Sequence, residues 1–159
     1  MAKKVKPIPK GYHTATPYLI VAGAEQAIRF YKKAFGATEL MRFPGPGGKL
    51  MHAEIQVGDS PIMLADESPE WDAKSPHAYG GTPVGMMLYV PDVDKTFKKA
   101  VAAGAKVAKP VQDQFYGDRS GTVIDPFGHK WTIGTHVEDV PSKEMQRRFR
   151  ELMQKSGPG

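Results

Sequence analysis

A histidine and a glutamate stand two residues apart, at His52 and Glu54, in a segment whose neighbours suit a β-strand. Because successive side chains of a strand point to opposite faces, these two groups share one face. An imidazole beside a carboxylate can act as a general base with an orienting partner, and the same groups can ligate a divalent metal. The alternative interpretation is a pair of half-exposed polar residues on a strand whose other face is core. His52 and Glu54 are the predicted catalytic residues.

A second segment joins aromatic and charged groups. The sequence FYGDR runs from Phe115 to Arg119, in a predicted connection between strands. Rings and a guanidinium on one loop can recognise a planar or anionic molecule, so Phe115, Tyr116 and Arg119 are predicted to bind ligand. The alternative interpretation is an ion pair between Asp118 and Arg119 that only stiffens the loop.

Three further large side chains share one strand parity, namely Tyr18, Met87 and Tyr89. Aromatic and thioether groups form walls that bind apolar or planar molecules. We predict that these three residues line a ligand cavity. The alternative interpretation is that they fill the space and leave no cavity.

The elements that must position these groups occur twice. A strand-like run, TPYLIV, precedes AGAEQAIRFYKKAFG, which has helical spacing, and three β-like segments follow up to residue 66. The order recurs in VGMMLYV, the helical PDVDKTFKKAVAAG, and the β-like AKVAKPV and SGTVIDPFGHKWTIGTH. Equivalent residues stand 69 positions apart, as do Val21 and Val90. A duplication explains this order.

We therefore predict an α+β fold of two tandem βαβββ modules that form a cupped mixed sheet, with a helix on the other sheet face. Module one spans 12–66, a polar linker 67–82 and module two 83–137. Residues 1–11 mix lysine with proline and predict a disordered basic arm. The remainder, 138–159, predicts an amphipathic C-terminal helix, because apolar residues recur at helical spacing in Met145, Phe149, Leu152 and Met153.

Composition excludes several classes of protein. The formal net charge is +5, but outside the arm 18 basic residues face 17 acidic ones. No basic face or run of interleaved lysines and aromatics indicates a nucleic-acid partner. No apolar run is long enough to span a membrane, and the absence of cysteine and of a signal segment predicts a cytoplasmic protein.

The paired βαβββ order and the phrases AIRFYKKAFGA, DVDKTFKKAVAAGA and DPFGHKW resemble the vicinal-oxygen-chelate superfamily, which includes glyoxalases, extradiol dioxygenases and bleomycin-resistance proteins. The phrases HAEIQVGDSPIMLAD and DQFYGDRSGTVIDPFGHKWTI resemble its branch of glyoxalase-like proteins associated with phosphonate operons. The resemblance covers residues 12 to 137. It implies a small-molecule ligand in the cup and a homodimer.

The metal-dependent enzymes of that superfamily hold one divalent ion with His, Gln or Glu on the first and last strand of each module. The resemblance places Thr16, Met63, Gly85 and Thr132 at those positions. Hydroxyl and thioether groups are poor ligands for such an ion, so we expect no metal and no other cofactor. Thr16, Met63 and Thr132 are then predicted to contact the ligand instead.

Three functions stay open at this point. The leading hypothesis is a glyoxalase-like or bleomycin-resistance-like protein that binds a small molecule without the usual metal, either sequestering it or catalysing a modest acid-base step. The second is a metal-dependent lyase or dioxygenase with shifted ligands such as His52 and Glu54. The third is a non-catalytic interaction module with a filled cup.

Overall fold

The computed structural model describes residues 5–155 and contains the βαβββ order twice. Module one consists of β1 (Tyr18–Val21), α1 (Ala24–Phe35), β2 (Thr38–Pro44), β3 (Leu50–Val57) and β4 (Ser60–Asp66). Module two consists of β5 (Gly85–Tyr89), α2 (Val93–Ala102), β6 (Lys106–Asp113), β7 (Asp118–Ile124) and β8 (Lys130–His136). A C-terminal helix, α3 (Ser142–Lys155), follows. The predicted α+β architecture of two tandem modules and a terminal helix is confirmed.

Each module folds its four strands into one mixed sheet, in the order β1-β4-β3-β2 and β5-β8-β7-β6. The first strand of each module pairs parallel with the last, and the other pairs are antiparallel. Tyr18 is in register with Met63, and Met87 with Thr132. These pairs are equivalent positions of the two modules, as a duplication requires.

Each helix covers one face of its own sheet because its apolar residues lie on one side. In α1 the buried side includes Ile28 and Tyr31, and in α2 it includes Val93 and Phe97. The helices also contact each other, and both modules share one core. The opposite face of each sheet, which its helix does not cover, is called the open face below.

The carboxylate of Asp66 fixes the start of α1. Its Oδ1 accepts hydrogen bonds from the backbone amides of Gly23 and Ala24, both at 2.8 Å, and its Oδ2 accepts one from Leu50 at 2.7 Å. Free amides at a helix N-terminus need such an acceptor. Asp66 therefore joins the end of β4 to the helix and to β3.

A buried aspartate joins the two modules. Asp125 Oδ2 accepts from the Tyr31 hydroxyl at 2.7 Å and from Trp131 Nε1 at 2.9 Å, and Oδ1 accepts from the amides of Phe127 and His129, both at 2.9 Å. Tyr31 belongs to α1, whereas the other groups belong to module two. Burial, together with the neighbouring Asp125 carboxylate, raises the pKa of Tyr31 well above its usual value.

The segments outside the modules are less regular. The linker forms two short 3-10 turns at Pro69–Trp71 and Pro76–Tyr79. Residues 5–11 form turns and bends, and the rest of the predicted arm lies outside the described residues. No side chain within α3 is buried, and the helix contacts the body through Phe149, whose ring lies 5.4 Å from that of Phe115.

Candidate functional site

Three side chains on the open face of module one form a hydrogen-bonded chain. The Tyr18 hydroxyl lies 2.9 Å from His52 Nδ1, and His52 Nε2 lies 3.0 Å from Glu54 Oε1. The structure thus brings together the two predicted catalytic residues and one predicted ligand-binding residue. Tyr18, which comes from a strand 34 residues away in sequence, is the member whose link to the pair was not predicted.

The strand register explains how these groups meet. Tyr18 is the neighbour of Met63 on β4, and Met63 is the neighbour of Glu54 on β3. Only one strand, β4, therefore lies between the backbone of Tyr18 and that of the His-Glu pair. On the other side, Phe43 of β2 is in register with His52, and the two rings stack at 6.0 Å. The imidazole is thus held between two aromatic rings.

Burial increases along this chain from the hydroxyl to the carboxylate. The Tyr18 residue is 49% exposed, whereas Glu54 is only 6% exposed. Glu54 Oε2 is buried and has no hydrogen-bond partner among the residues that the structure describes. A buried polar atom without a partner lowers stability, and such atoms are retained at functional sites more readily than elsewhere. Partial burial also raises the pKa of the Tyr18 hydroxyl.

Two cavities meet at Tyr18. The first, called the linker cavity, has a volume of about 550 Å³ and lies between the open face and the linker turn that carries Trp71. Its apolar lining includes Ile20, Met51 and Ala65. The second, called the seam cavity, has a volume of about 880 Å³ and lies between β1 and residues 79–84, with Met86 and His129 in its wall. Tyr18 lines both cavities.

Acidic groups outnumber basic ones around the linker cavity. Asp66, Glu67 and Glu70 line it together with Lys49. Ser75, whose amide donates to Glu67 Oε1 at 2.7 Å, holds the pKa of Glu67 below its usual value. The carboxylates of Asp66 and Glu67 already accept backbone hydrogen bonds. They therefore act on a ligand mainly through their negative charge.

The open face of module two carries hydroxyl groups where module one has its acid and thioether. Thr122 and Thr132 correspond to Glu54 and Met63, and their hydroxyls lie 3.0 Å apart. Both threonines line a small cavity of about 220 Å³, to which the predicted Tyr116 also contributes. The predicted Met87 and Tyr89 are 43% and 62% exposed on the strand beside it.

A second titratable cluster lies at the end of module two and was not predicted. Asp118 is buried; its Oδ2 accepts from the Tyr89 hydroxyl at 2.8 Å, and its Oδ1 lies 2.7 Å from His136 Nδ1. Asp139 Oδ1 lies 2.8 Å from the other ring nitrogen. Hydrogen bonds with Asp118 and then Asp139 raise the pKa of His136. The signal available in the sequence was strand alternation, which puts Tyr89, Asp118 and His136 of three strands on the same face of the sheet.

The ion pair between Asp118 and Arg119 does not form. These residues begin β7, so their side chains point to opposite faces. Arg119 instead makes a bidentate pair with Asp94, at 2.8 and 3.0 Å, and also contacts Asp113. These contacts raise the pKa of Arg119. The guanidinium therefore fastens β7 to α2.

The other members of the FYGDR segment face the C-terminal helix. Phe115 packs against Tyr116, with ring centroids 5.2 Å apart, and against Phe149. Arg148 of α3 donates to the Phe115 carbonyl at 3.5 Å and to the Glu138 carboxylate at 2.7 and 2.8 Å. Phe115 and Arg119 are thus engaged in packing and ion pairing, whereas Tyr116 lines the small cavity of module two.

Two histidines have partners that the sequence did not indicate. His129 Nε2 lies 3.0 Å from the Ile20 carbonyl of β1. His77 Nε2, in the linker, lies 3.0 Å from the Pro126 carbonyl. Both histidines connect module two to the rest of the chain.

The residues at the superfamily's metal positions do not fit a divalent ion. Met63 offers a thioether, the Thr132 hydroxyl is bonded to Thr122, Gly85 has no side chain, and Thr16 precedes β1. Within residues 5–155 no three His, Asp or Glu side chains cluster as a metal site would require. Both ring nitrogens of His52 are engaged, so neither is free to coordinate.

A match to a protein-family model shows to which superfamily the chain belongs. The model described as the Glyoxalase/Bleomycin resistance protein/Dioxygenase superfamily matches residues 12–133. The chain belongs to this superfamily. The match includes module one and most of module two, as far as the middle of β8, and with them the Tyr18–His52–Glu54 chain and both cavities.

Individual relatives support the same assignment. An uncharacterised protein of Mycobacterium tuberculosis strain H37Rv is 46% identical over 134 residues, which is 82% of this chain and 79% of the relative. The crystal structure of TioX from Micromonospora sp. ML1 is 26% identical, covers 81% of this chain and 100% of its own, and has a TM-score of 0.61. A putative 3-demethylubiquinone-9 3-methyltransferase, PhnB protein, from Bacillus cereus is 18% identical, covers 77% of this chain and 99% of its own, and has a TM-score of 0.59, which shows the fold alone.

Among the helices of residues 5–155, none has both the length and the apolar character that crossing a membrane requires.

Proposed function

We propose that this protein binds a small, flat organic molecule in the linker cavity of module one and either sequesters it or carries out an acid-base step on it without a metal. The observation that carries the proposal is the Tyr18–His52–Glu54 chain, which ends at a cavity of about 550 Å³. That volume lies within the usual range of small-molecule sites.

The shape and lining of the cavity favour a planar ligand. Tyr18 and Trp71 both line it, and the Trp71 residue is 69% exposed. Exposed aromatic side chains beside a cavity gain contact area when a flat molecule enters. The Thr16, Met63, Met87, Tyr89 and Thr132 positions remain proposed secondary contacts, from the strands beside the cavity and from module two.

Metal-independent action is proposed from the chemistry of the donors. Replacing a histidine or carboxylate by a thioether, a hydroxyl or a hydrogen atom removes nearly all affinity for a hard divalent ion. The alternative, a lyase or dioxygenase with His52 and Glu54 as shifted ligands, requires the His52 ring to give up one of its two hydrogen bonds. The presence of cavities of ligand size argues against an interaction module with a filled cup.

Two measurements on chelator-treated and untreated protein test this function. Elemental analysis of untreated protein is expected to find no stoichiometric Zn, Ni, Mn or Fe. Near-stoichiometric metal that is absent from the double variant His52→Ala, Glu54→Ala would instead establish the metal-dependent enzyme. Calorimetry with 4-nitrophenol as a flat probe is expected to show binding that Trp71→Ala weakens at least about fivefold, or about 1 kcal/mol. Phe149→Ala, on α3 and outside both cavities, is the control and should leave affinity unchanged.

Assembly, location and branch are proposals of the same kind. We propose a homodimer, because the stripe of α3 leaves Phe149, Leu152 and Met153 about half exposed and such stripes are usually covered. A dimer mass in light scattering would support this, and a monomer mass would refute it. We also propose a cytoplasmic location without nucleic-acid or membrane partners. Within the superfamily, we propose that the chain belongs to the glyoxalase-like branch associated with phosphonate operons.

A further inference from the structure

One end of the Tyr18–His52–Glu54 chain reaches the cavities and the other does not. Tyr18 lines both the linker cavity and the seam cavity, and neither His52 nor Glu54 is among the residues that line them. The His52 side chain is 23% exposed and that of Glu54 is 8% exposed. Of these three residues, a molecule bound in either cavity therefore contacts Tyr18 and neither His52 nor Glu54.

The direction of the hydrogen bonds follows from the chemistry of the groups. A carboxylate only accepts, so the His52 nitrogen that faces it, Nε2, is the one that donates. In a neutral imidazole the other nitrogen, Nδ1, is then an acceptor and takes the hydroxyl hydrogen of Tyr18 at 2.9 Å. The lone pairs of the Tyr18 oxygen remain, so this oxygen can accept one more hydrogen bond, from a ligand.

Resting on the proposed function, we propose that Tyr18 is the catalytic residue and that it takes a proton from a bound neutral weak acid. The O–H or N–H bond of the ligand breaks, its proton goes to the Tyr18 oxygen, and the phenol's own proton moves to Nδ1 of His52. The products are the conjugate base of the ligand, an intact phenol and an imidazolium beside the Glu54 carboxylate. Glu54 is a positioning residue, because it fixes which ring nitrogen carries hydrogen.

The surroundings specify the class of ligand. Asp66, Glu67 and Glu70 against Lys49 give the linker cavity an acidic rim, which disfavours a molecule that arrives as an anion. Burial raises the pKa of Tyr18, so the phenol carries its proton before a ligand binds. The site therefore suits a flat, neutral molecule with an acidic O–H or N–H group, rather than an oxoanion.

The test uses 4-nitrophenol, whose neutral and ionised forms absorb differently. The apparent pKa of the bound probe is measured from absorbance in the parent protein and in Tyr18→Phe and His52→Gln. The rim charges are the same in all three proteins, so they do not affect the comparison. We expect the bound probe to ionise about one pH unit lower in the parent, which is a tenfold change in its ionisation constant. Tyr12→Phe, outside both cavities, should behave like the parent.

The histidine tautomer gives a readout without any ligand. In protein labelled with 15N-histidine we expect His52 to carry its hydrogen on Nε2, and Nδ1 to become protonated when 4-nitrophenol binds. Two results would overturn the role of Tyr18 and leave the proposed function intact. One is hydrogen on Nδ1 of His52 in the free protein. The other is equal ionisation of the bound probe in the parent and in Tyr18→Phe, with the probe binding to both. Absence of probe binding to the parent protein would instead overturn the proposed function, and the role of Tyr18 with it.

Discussion

Replacing Glu54 by methionine should stabilise the fold while it removes the acid-base chemistry. The Glu54 carboxylate is 6% exposed, and one of its two oxygens has no partner among residues 5–155. Its other oxygen has a single bond, to His52 at 3.0 Å. Methionine has a similar volume and matches Met63, the neighbour of Glu54 on β4.

The magnitude follows from what the substitution removes and what it leaves. An unpaired buried polar atom lowers stability by about 1–3 kcal/mol, whereas the lost hydrogen bond contributes about 1 kcal/mol. The His52 side chain is partly exposed, so the nitrogen that loses Glu54 can bond to water. We expect Glu54→Met to raise the free energy of unfolding by up to about 2 kcal/mol.

Urea unfolding followed by circular dichroism measures this change as a higher midpoint with an unchanged slope. The matched control is Gln56→Met, on the same strand and the same face, where the side chain bonds to the Gly58 carbonyl at 3.0 Å and no charge is buried. The control should change stability by less than about 0.5 kcal/mol. A loss of more than about 1 kcal/mol in Glu54→Met would mean that the carboxylate supports the fold, and the argument for a functional role from burial would be wrong.

Three further predictions concern the framework around the site. Asp125→Ala should lower the free energy of unfolding by about 3–4 kcal/mol, because the buried Tyr31 and Trp131 donors lose their acceptor; a change below about 1 kcal/mol in chemical unfolding would contradict this. Asp66→Ala should lower the free energy of unfolding by about 2 kcal/mol, because three backbone amides lose their acceptor. It should also speed hydrogen exchange of the amides at the start of α1, and unchanged exchange there would count against the capping role of Asp66. The pKa of His136 is raised in the folded protein, so its ion pairs contribute to folding stability. This contribution is complete below about pH 6.5 and is lost as the pH rises through the pKa of the folded state. Amides of residues 137–141 should therefore exchange faster at high pH than the intrinsic rate explains, and His136→Asn should abolish this difference.

The architecture could be predicted from the sequence because helical spacing and strand alternation are both local patterns. Helical spacing located α1 and α2 within a residue or two, and strand parity put His52 and Glu54 on one face. The first strand was predicted from Thr16 but begins at Tyr18. Pro17 has no amide to donate, although its carbonyl accepts from Met63 at 2.9 Å.

The contacts that give the site its chemistry could not be read in this way, because they depend on register between distant strands. The bond between Tyr18 and His52 spans β4, so it depends on the pairing of β1 with β4 and of β4 with β3. The pairing of Asp118 with His136, instead of Arg119, depends on where β7 begins. A residue's face is a local property, whereas its neighbour across a sheet is set by the whole topology.

A crystal structure of chelator-treated protein soaked with 4-nitrophenol tests the central claim most directly. We expect the ring between Tyr18 and Trp71, with its phenolic oxygen within hydrogen-bond distance of the Tyr18 hydroxyl and no ion nearby. Density for the probe only on module two, or a divalent ion coordinated by His52 and Glu54 in crystals grown without chelator, would contradict a metal-free site on module one.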